Sequence, residues 1–301
     1  MILRTFRDYN EGCPPGVHAV RSDSHPKRYR YGQEPYYQES SKDLGRLLRR
    51  PLQDYSRLTF VLLKPDAFVA GAAGRVLAAL RDRGFVARGS LLVRFNRFMI
   101  RELWRYEFNI ARVERYPLID ELLCAGPSVM TVLEDRSGAI DAAARLSMLK
   151  GHSCLARRAN DSLRSAIGAR EGTLNFIHAP DEFIDVIREA GVLLDAAQRV
   201  ELAALLDGAN AGDAVSLLAE VGANYPRHSL LLADVIGQYG EPLAREVALH
   251  RETLAQDPYA VKTHFVKTLG LGQWDWITLA ANYLRFSHQG VPPVFEFETV
   301  E

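Results

Sequence analysis

The sequence predicts an α+β domain built on an antiparallel sheet, followed by an all-helical domain. Short β-rich segments alternate with helical segments between about residues 58 and 194. Beyond about residue 195 every segment has helical spacing. A chain of 301 residues is long enough for two such units.

The first elements are separated by proline and glycine. The apolar run LTFVLL, which begins at Leu58 and stops at a Lys-Pro-Asp turn, predicts a buried strand. AGRVLAALRDRGF predicts a helix closed by Gly84, because its apolar residues recur at helical spacing. VARGSLLVRFNRF then alternates as a strand does, and RELWRYEFNIARVERY returns to helical spacing.

The second half of this domain repeats the pattern after the Gly126-Pro127 turn. SVMTVLED predicts a strand and DAAARLSMLKG a helix. LNFIHAP predicts a short strand that ends at His178, and DEFIDVIREAGVLL predicts an amphipathic helix. The order βαββαβ is typical of a ferredoxin-like antiparallel sheet with helices on one face.

The segments on either side of this domain differ from it in composition and periodicity. Residues 1–56 are predicted to form an N-terminal arm without helical or strand period, apart from a short helix over SKDLGRLLRR. Residues 57–195 form the α+β domain. Residues 196–301 form the helical domain, a bundle rather than a solenoid because its segments share no repeated motif, with a short FEFE tail.

Composition argues against nucleic-acid and membrane binding. Lys+Arg and Asp+Glu both number 37, so no global field attracts polyanions. The arm's KRYRYGQEPYY mixes basic and aromatic residues, but it is short and diluted by acid, which favours a packed or disordered arm. No run approaches the ~18 apolar residues of a membrane span, and the three cysteines lack C-x-x-C spacing. We expect a soluble, cytoplasmic protein with reduced thiols.

One histidine stands among cations that the predicted fold brings near it. His178 ends a short strand, where a structural, hydrogen-bonded histidine is the commoner role. Lys64 ends the first strand, Arg145 lies on a helix before a Gly-containing loop, and Arg164 precedes the strand of Asn175 and His178. Fixed cations directed at one pocket are what a polyphosphate requires.

The motifs KPD, GP before VMTVLED, and NFIHAPD resemble the signature of the nucleoside diphosphate kinase family, over about residues 58–194. The resemblance implies that His178 takes the γ-phosphoryl group of a nucleoside triphosphate as phosphohistidine. It then passes the group to a nucleoside diphosphate or to a specialised phosphorylated acceptor. Glu189, eleven residues later on the next helix, matches the carboxylate that fixes the imidazole tautomer, although a solvated helix-face charge is an equal alternative.

The resemblance also implies a nucleotide site and a magnesium requirement. Magnesium is expected on the nucleotide phosphates, with no protein-bound metal in their absence. The residues implied in binding nucleotide are Lys64, Tyr106, Arg145, Arg164 and Asn175.

The sequence departs from the family on the acceptor and base side. Pro180 stands where the family has a serine, and Tyr116 or Leu118 is the nearest counterpart of the base-stacking aromatic residue. The basic Lys150, Arg157 and Arg158 fall where another acceptor would bind. This pattern favours retained phosphorus chemistry with a changed substrate.

Two further hypotheses remain open. The domain could be a non-catalytic nucleotide-binding scaffold or sensor, or it could transfer a nucleotidyl or phosphate-ester group to a small metabolite, with His178 as base or carrier. We expect a homo-oligomer, a dimer or larger.

The helical half shows no second site in its sequence. Trp274 and Trp276 are expected to be core or interface anchors. The histidines there lack the close spacing of a metal motif and are interpreted as surface or packing residues: His228, His250, His264 and His288.

Overall fold

The computed structural model describes residues 25–107, 111–170, 172–208 and 214–285. Its centre is one antiparallel sheet in the order β2-β3-β1-β4. Within the described residues, none of the helices combines the length and apolarity needed to cross a bilayer. The strands are β1 (Leu58–Leu63), β2 (Phe85–Val93), β3 (Ser128–Asp135) and β4 (Ile177–His178).

The predicted α+β fold is confirmed. Every residue of β1 is buried, because helices α7 and α9 pack on it and β3 and β4 flank it. β2 and β4 lie at the edges, and β2 alternates buried with partly exposed residues over its second half, as an edge strand does. The helices of this domain are α3 (Pro65–Val69), α4 (Ala73–Arg81), α5 (Arg97–Leu103), α6 (Tyr116–Leu123), α7 (Ala142–Lys150), α8 (Leu163–Ala166) and α9 (Phe183–Leu193).

Two predicted elements are shorter than expected. Helix α5 begins after Asn96, whose side chain accepts hydrogen bonds from two backbone N–H groups, but it ends at Leu103 rather than continuing through RYEFNIARVERY. The strand predicted over LNFIHAP is regular only at Ile177–His178, because a left-handed backbone at Phe176 interrupts it.

The described part of the arm contains two helices, which corrects the expectation of an irregular segment except at the short helix predicted over SKDLGRLLRR, whose first seven residues lie in the second of them. The two helices are α1 (His25–Tyr31) and α2 (Pro35–Leu47). The pattern of the sequence does not reveal α1 or the first half of α2, because long-range contacts stabilise them. The Lys27 ammonium and the Tyr31 hydroxyl both contact the Asp185 carboxylate on α9, at 2.7 and 2.6 Å.

The C-terminal part is helical, as predicted. α10 and α11 pack directly on β2 and β3, and Trp276 is fully buried while Trp274 is nearly so. α12 is interrupted at Gly240, where φ is 67°, and the FEFE tail lies outside the described residues. The helices are α10 (Ala196–Leu206), α11 (Ala214–Ala223), α12 (Leu232–Leu249), α13 (Arg251–Gln256), α14 (Lys262–Thr268) and α15 (Gln273–Tyr283).

Candidate active site

The candidate site forms where the end of β1 meets β4. β4 pairs with β1 so that His178 lies opposite Leu62, and the backbone N–H of Lys64 donates to the Phe176 carbonyl at 2.9 Å. The Lys-Pro-Asp turn is thereby placed beside the strand that carries the histidine. Phe176 has φ of 68°, a conformation that costs a bulky residue free energy and is concentrated at functional sites.

His178 is oriented by a carboxylate on the following helix. Its Nε2 lies 2.8 Å from Oε2 of Glu189, and Glu189 is 7% exposed. The edge of the Trp104 ring meets the imidazole at a centroid distance of 5.3 Å and an angle of 82°. Among the described residues the other ring nitrogen, Nδ1, makes no hydrogen bond. A proton on Nε2, donated to Glu189, leaves the Nδ1 lone pair available for attack on an electrophile.

Lys64 is a buried cation held by the same segment. Its Nζ donates to the Thr173 carbonyl at 2.8 Å and lies 3.5 Å from Oδ2 of Asp66. Asp66 also accepts a hydrogen bond from the backbone N–H of Phe176 at 2.9 Å. Burial lowers the pKa of Lys64 to about 8, and burial raises the pKa of Asp66. The Lys-Pro-Asp turn therefore braces the left-handed residue and keeps an ammonium near it.

Arg164 presents a second buried cation to the histidine strand. Its guanidinium donates to the carbonyls of Gly151 and Ile177, at 2.6 and 3.1 Å. Among the described residues, Arg164 has no carboxylate within 4.0 Å. Burial and, to a lesser extent, the nearby Arg158 charge lower the pKa of Arg164 to about 10. Asn175 completes the group, with its Nδ2 donating to the Gly172 carbonyl at 2.6 Å.

Arg145 does not join this group. Its guanidinium donates to Oδ1 of Asp135 at 2.9 Å and stacks over the Phe85 ring at 4.8 Å. Asp135 lies five residues along β3 from Met130, the position level with His178, so the two ends are about 17 Å apart at ~3.4 Å per residue. Arg145 serves the opposite end of the sheet.

Tyr106 packs against the arm. Its hydroxyl bonds to Glu34, and the Arg188 guanidinium lies 5.3 Å from its ring centroid. Tyr106, Glu189 and the arm residues Lys27 and Tyr31 line a cavity of about 40 Å³. Ligand pockets typically measure 300 Å³ or more, so this cavity has room for water but not for a nucleotide.

Several residues of the site were missed by sequence reasoning. Asp66 belongs to the quoted KPD motif, yet only its lysine was assigned a role. Arg115, whose charge helps to lower the pKa of Lys64, and Trp104 carry no sequence signal of their own. Lys27 contacts Asp185 on α9 because the arm packs against that helix, and no local sequence pattern predicts this packing.

The basic residues expected to serve an acceptor are already engaged in part. Lys150 donates to the Ala179 carbonyl at 3.0 Å and lies 3.3 Å from Asp181. Although burial acts to raise it, the Lys150 and Lys27 charges hold the pKa of Asp181 below its usual value. Arg158 is buried and donates to backbone carbonyls, whereas Arg157 is exposed.

Part of this chain is similar to known proteins. The family model for nucleoside diphosphate kinase matches residues 57–198. A nucleoside diphosphate kinase of Fervidobacterium nodosum is 28% identical over 149 residues, which span 48% of this chain and 92% of that protein. A crystal structure of the Aquifex aeolicus nucleoside diphosphate kinase is 24% identical, with a TM-score of 0.37, and the match covers 45% of this chain and 93% of that one.

Residues 57–198 thus form a nucleoside-diphosphate-kinase-like domain, which confirms the resemblance read from the sequence. The family similarity supports nucleotide phosphotransfer as the general class of chemistry, in a kinase-like enzyme. The match ends within α10, so most of the helical part lies outside it.

Proposed function

We propose that this protein is a phosphotransferase that moves the γ-phosphoryl group of a nucleoside triphosphate through a phosphohistidine at His178. The acceptor is a nucleoside diphosphate or a specialised phosphorylated molecule. The observation that carries the proposal is the contact of 2.8 Å between His178 Nε2 and Glu189, made beside two buried cations. Glu189 fixes the tautomer, and Nδ1 is the nucleophile.

The first half-reaction follows from this geometry. The Nδ1 lone pair of His178 attacks the γ-phosphorus, and the bond from that phosphorus to the β–γ bridging oxygen breaks. The bridging oxygen keeps the electron pair and leaves with the nucleoside diphosphate. The proton on Nε2 stays in the hydrogen bond with Glu189, which stabilises the positive charge that develops on the ring. In the second half-reaction a terminal phosphate oxygen of the acceptor attacks the same phosphorus and His178 leaves.

The phosphates are proposed to bind on the side of Lys64, Arg164 and Asn175. Arg164 hydrogen-bonds to neutral carbonyls alone, so its charge remains to stabilise an anion, whereas Lys64 donates to a carbonyl and shares its charge with Asp66. Three buried polar atoms lack a hydrogen-bond partner among the described residues here: Arg164 Nε, Thr173 Oγ1 and Asp66 Oδ1. A buried donor such as Arg164 Nε costs free energy while it lacks a partner, so a phosphate oxygen bound there would stabilise it.

Magnesium is proposed to arrive with the nucleotide. Two carboxylates near His178 are already engaged, Glu189 with the imidazole and Asp181 with Lys150 and Ser147. This donor set fits an ion held on the phosphates rather than in a protein cage. When bound with the nucleotide, magnesium would supply neutralisation of the phosphate charge, and Lys64 and Arg164 would supply the protein's own cations beside it.

Acid-labile labelling of the protein tests the proposal. The purified full chain is incubated with magnesium and ATP labelled on the γ-phosphate, without acceptor. The wild type is expected to carry a base-stable label, and His178→Ala none. His228→Ala is the matched control, because His228 also pairs with a carboxylate, Asp275, at 2.7 Å. It should label as the wild type does.

The same experiment separates the two alternatives. If the wild type binds ATP measurably but carries no label, a nucleotide-binding scaffold or sensor is favoured. Lys64 and Arg164, which donate to backbone carbonyls, would serve nucleotide binding in that case as well. Transfer of an α-phosphate label to protein or metabolite would favour nucleotidyl transfer instead. Label that persists in His178→Ala would place the chemistry on another residue.

A further inference from the structure

Three side chains of the helical part converge outside the nucleoside-diphosphate-kinase-like domain. Glu246 lies near the end of α12, His250 follows that helix directly, and His264 lies on α14. One potential ligand atom from each residue lies within 4.8 Å of those of the other two. Glu246 and His250 are four residues apart, a spacing that places two side chains on one helix face and can be recognised in the sequence. The third member is supplied only by the folding of α14 against the preceding helices.

One carboxylate oxygen of Glu246 is close to both imidazoles. Oε2 of Glu246 lies 2.9 Å from Nε2 of His264 and 3.6 Å from Nε2 of His250. Around a tetrahedral ion with bonds of ~2.0–2.1 Å, neighbouring ligand atoms are about 3.3–3.4 Å apart. These two distances lie on either side of that value, and all three ligand atoms lie within 4.8 Å of one another, so side-chain rotations can bring them around one ion.

A buried aromatic ring holds both imidazoles in place. Phe265 is fully buried, and its ring meets His250 and His264 edge-on, at centroid distances of 5.9 and 5.8 Å. The His250 and His264 rings lie 5.5 Å apart. A hydrophobic shell of this kind controls solvent access and the local dielectric around a metal site.

Solvent can supply the remaining ligand. The side chains of Glu246, His250 and His264 are 17%, 28% and 38% exposed, so an entry path is open. The neighbouring Arg245 approaches the other carboxylate oxygen, Oε1, at 3.9 Å, and leaves Oε2 to the histidines. Two neutral imidazoles and one carboxylate are donors that zinc and its transition-metal neighbours prefer over magnesium or calcium.

We propose that Glu246, His250 and His264 bind one divalent transition-metal ion, with zinc as the expected occupant and water as the fourth ligand. The ion joins the end of α12 to α14 and so stabilises the helical part. The site is independent of phosphoryl transfer at His178. It also revises the interpretation of His250 and His264 as surface or packing residues.

The test uses the full chain after removal of metal by a chelator and desalting. Zinc titration by calorimetry should show one site per chain with Kd of about 1 µM or tighter, and cobalt should give the visible absorption of a four- or five-coordinate ion. His250→Gln and His264→Gln preserve size and polarity and are expected to weaken binding by at least about 100-fold. His228→Gln, in the same part of the chain but outside the cluster, should bind as the wild type does.

Thermal unfolding provides a second readout. Saturating zinc should raise the Tm of the wild type and of His228→Gln, because the ion binds only the folded state, but not that of His264→Gln. A wild type that binds no zinc more tightly than about 100 µM overturns the proposal. Zinc binding of full strength in folded His250→Gln and His264→Gln, as checked by circular dichroism, overturns it as well, since other residues then hold the ion.

Discussion

The two ends of the sheet hold their arginines, Arg145 and Arg164, in opposite ways. At the end near Asp135, Arg145 is neutralised by a carboxylate that is itself fully buried. At the end near His178, Arg164 donates to two neutral carbonyls and Lys64 to a third, with Asp66 at 3.5 Å. A cation paired with a carboxylate stabilises the fold, whereas one held by carbonyl dipoles keeps a charge that a phosphate can use.

The largest expected effect on the rate of phosphoenzyme formation comes from replacing each of the two arginines separately by methionine. Arg164→Met should slow phosphoenzyme formation by about 10²- to 10³-fold, because a buried charge-assisted donor to the phosphates is lost. Arg145→Met should leave that rate within about threefold of wild type. Rapid-quench labelling measures both rates, and circular dichroism checks that each variant is folded. Equal losses in the two variants would contradict the contrast between the ends.

Glu189→Gln should lower the labelling rate by about 10- to 100-fold. The amide still reaches Nε2 of His178 but no longer stabilises the charge that develops on the ring. Glu102→Gln is a suitable control, because Glu102 lies 3.2 Å from the Arg188 guanidinium rather than at the imidazole. A Glu189→Gln protein that labels at the wild-type rate would reduce Glu189 to a structural partner.

The pKa of Lys64 predicts a smaller, pH-dependent effect. Lys64 is charged below about pH 8 and becomes neutral above it, while Arg164, with a pKa of about 10, stays charged. ATP affinity should therefore fall up to roughly eightfold between about pH 7.5 and about pH 9, if only the charged form binds. Lys64→Met should bind more weakly and lose this dependence. An unchanged slope in Lys64→Met would assign the titration to another group.

Arg145→Met should change the stability of the protein but not its rate of phosphoenzyme formation. It leaves the buried Asp135 carboxylate without its cation, and we expect the free energy of unfolding to fall by about 2 kcal/mol. Urea unfolding with fluorescence or circular dichroism measures the difference. An Arg145→Met protein as stable as the wild type would remove the structural role assigned to this pair.

The α+β pattern and the pair His178 and Glu189 were predictable, because both depend on residues that are close together in the sequence. Apolar periodicity identifies β1, β3 and α9, and the spacing from His178 to Glu189 falls on one helix that follows one strand. Both residues of that pair lie where the sequence analysis expected them, and the roles given to them stay predictions.

What could not be predicted depends on contacts between distant elements. The sequence places Arg145 on a helix, but the buried carboxylate of Asp135 decides which end of the sheet its guanidinium reaches. Helix α1 and the first half of α2 have no clear period, and contacts with α9, more than 150 residues away, stabilise the arm. His264 reaches Glu246 only through the packing of α14.

The most direct test of the central claim is the identity of the phosphorylated nitrogen. Phosphoenzyme formed from ATP without acceptor is digested in base, and the two phosphohistidine isomers are separated and counted. Because Nε2 is held by Glu189, the account predicts label on Nδ1 of His178. Label on Nε2, or no phosphohistidine in a folded protein that binds ATP, would contradict it.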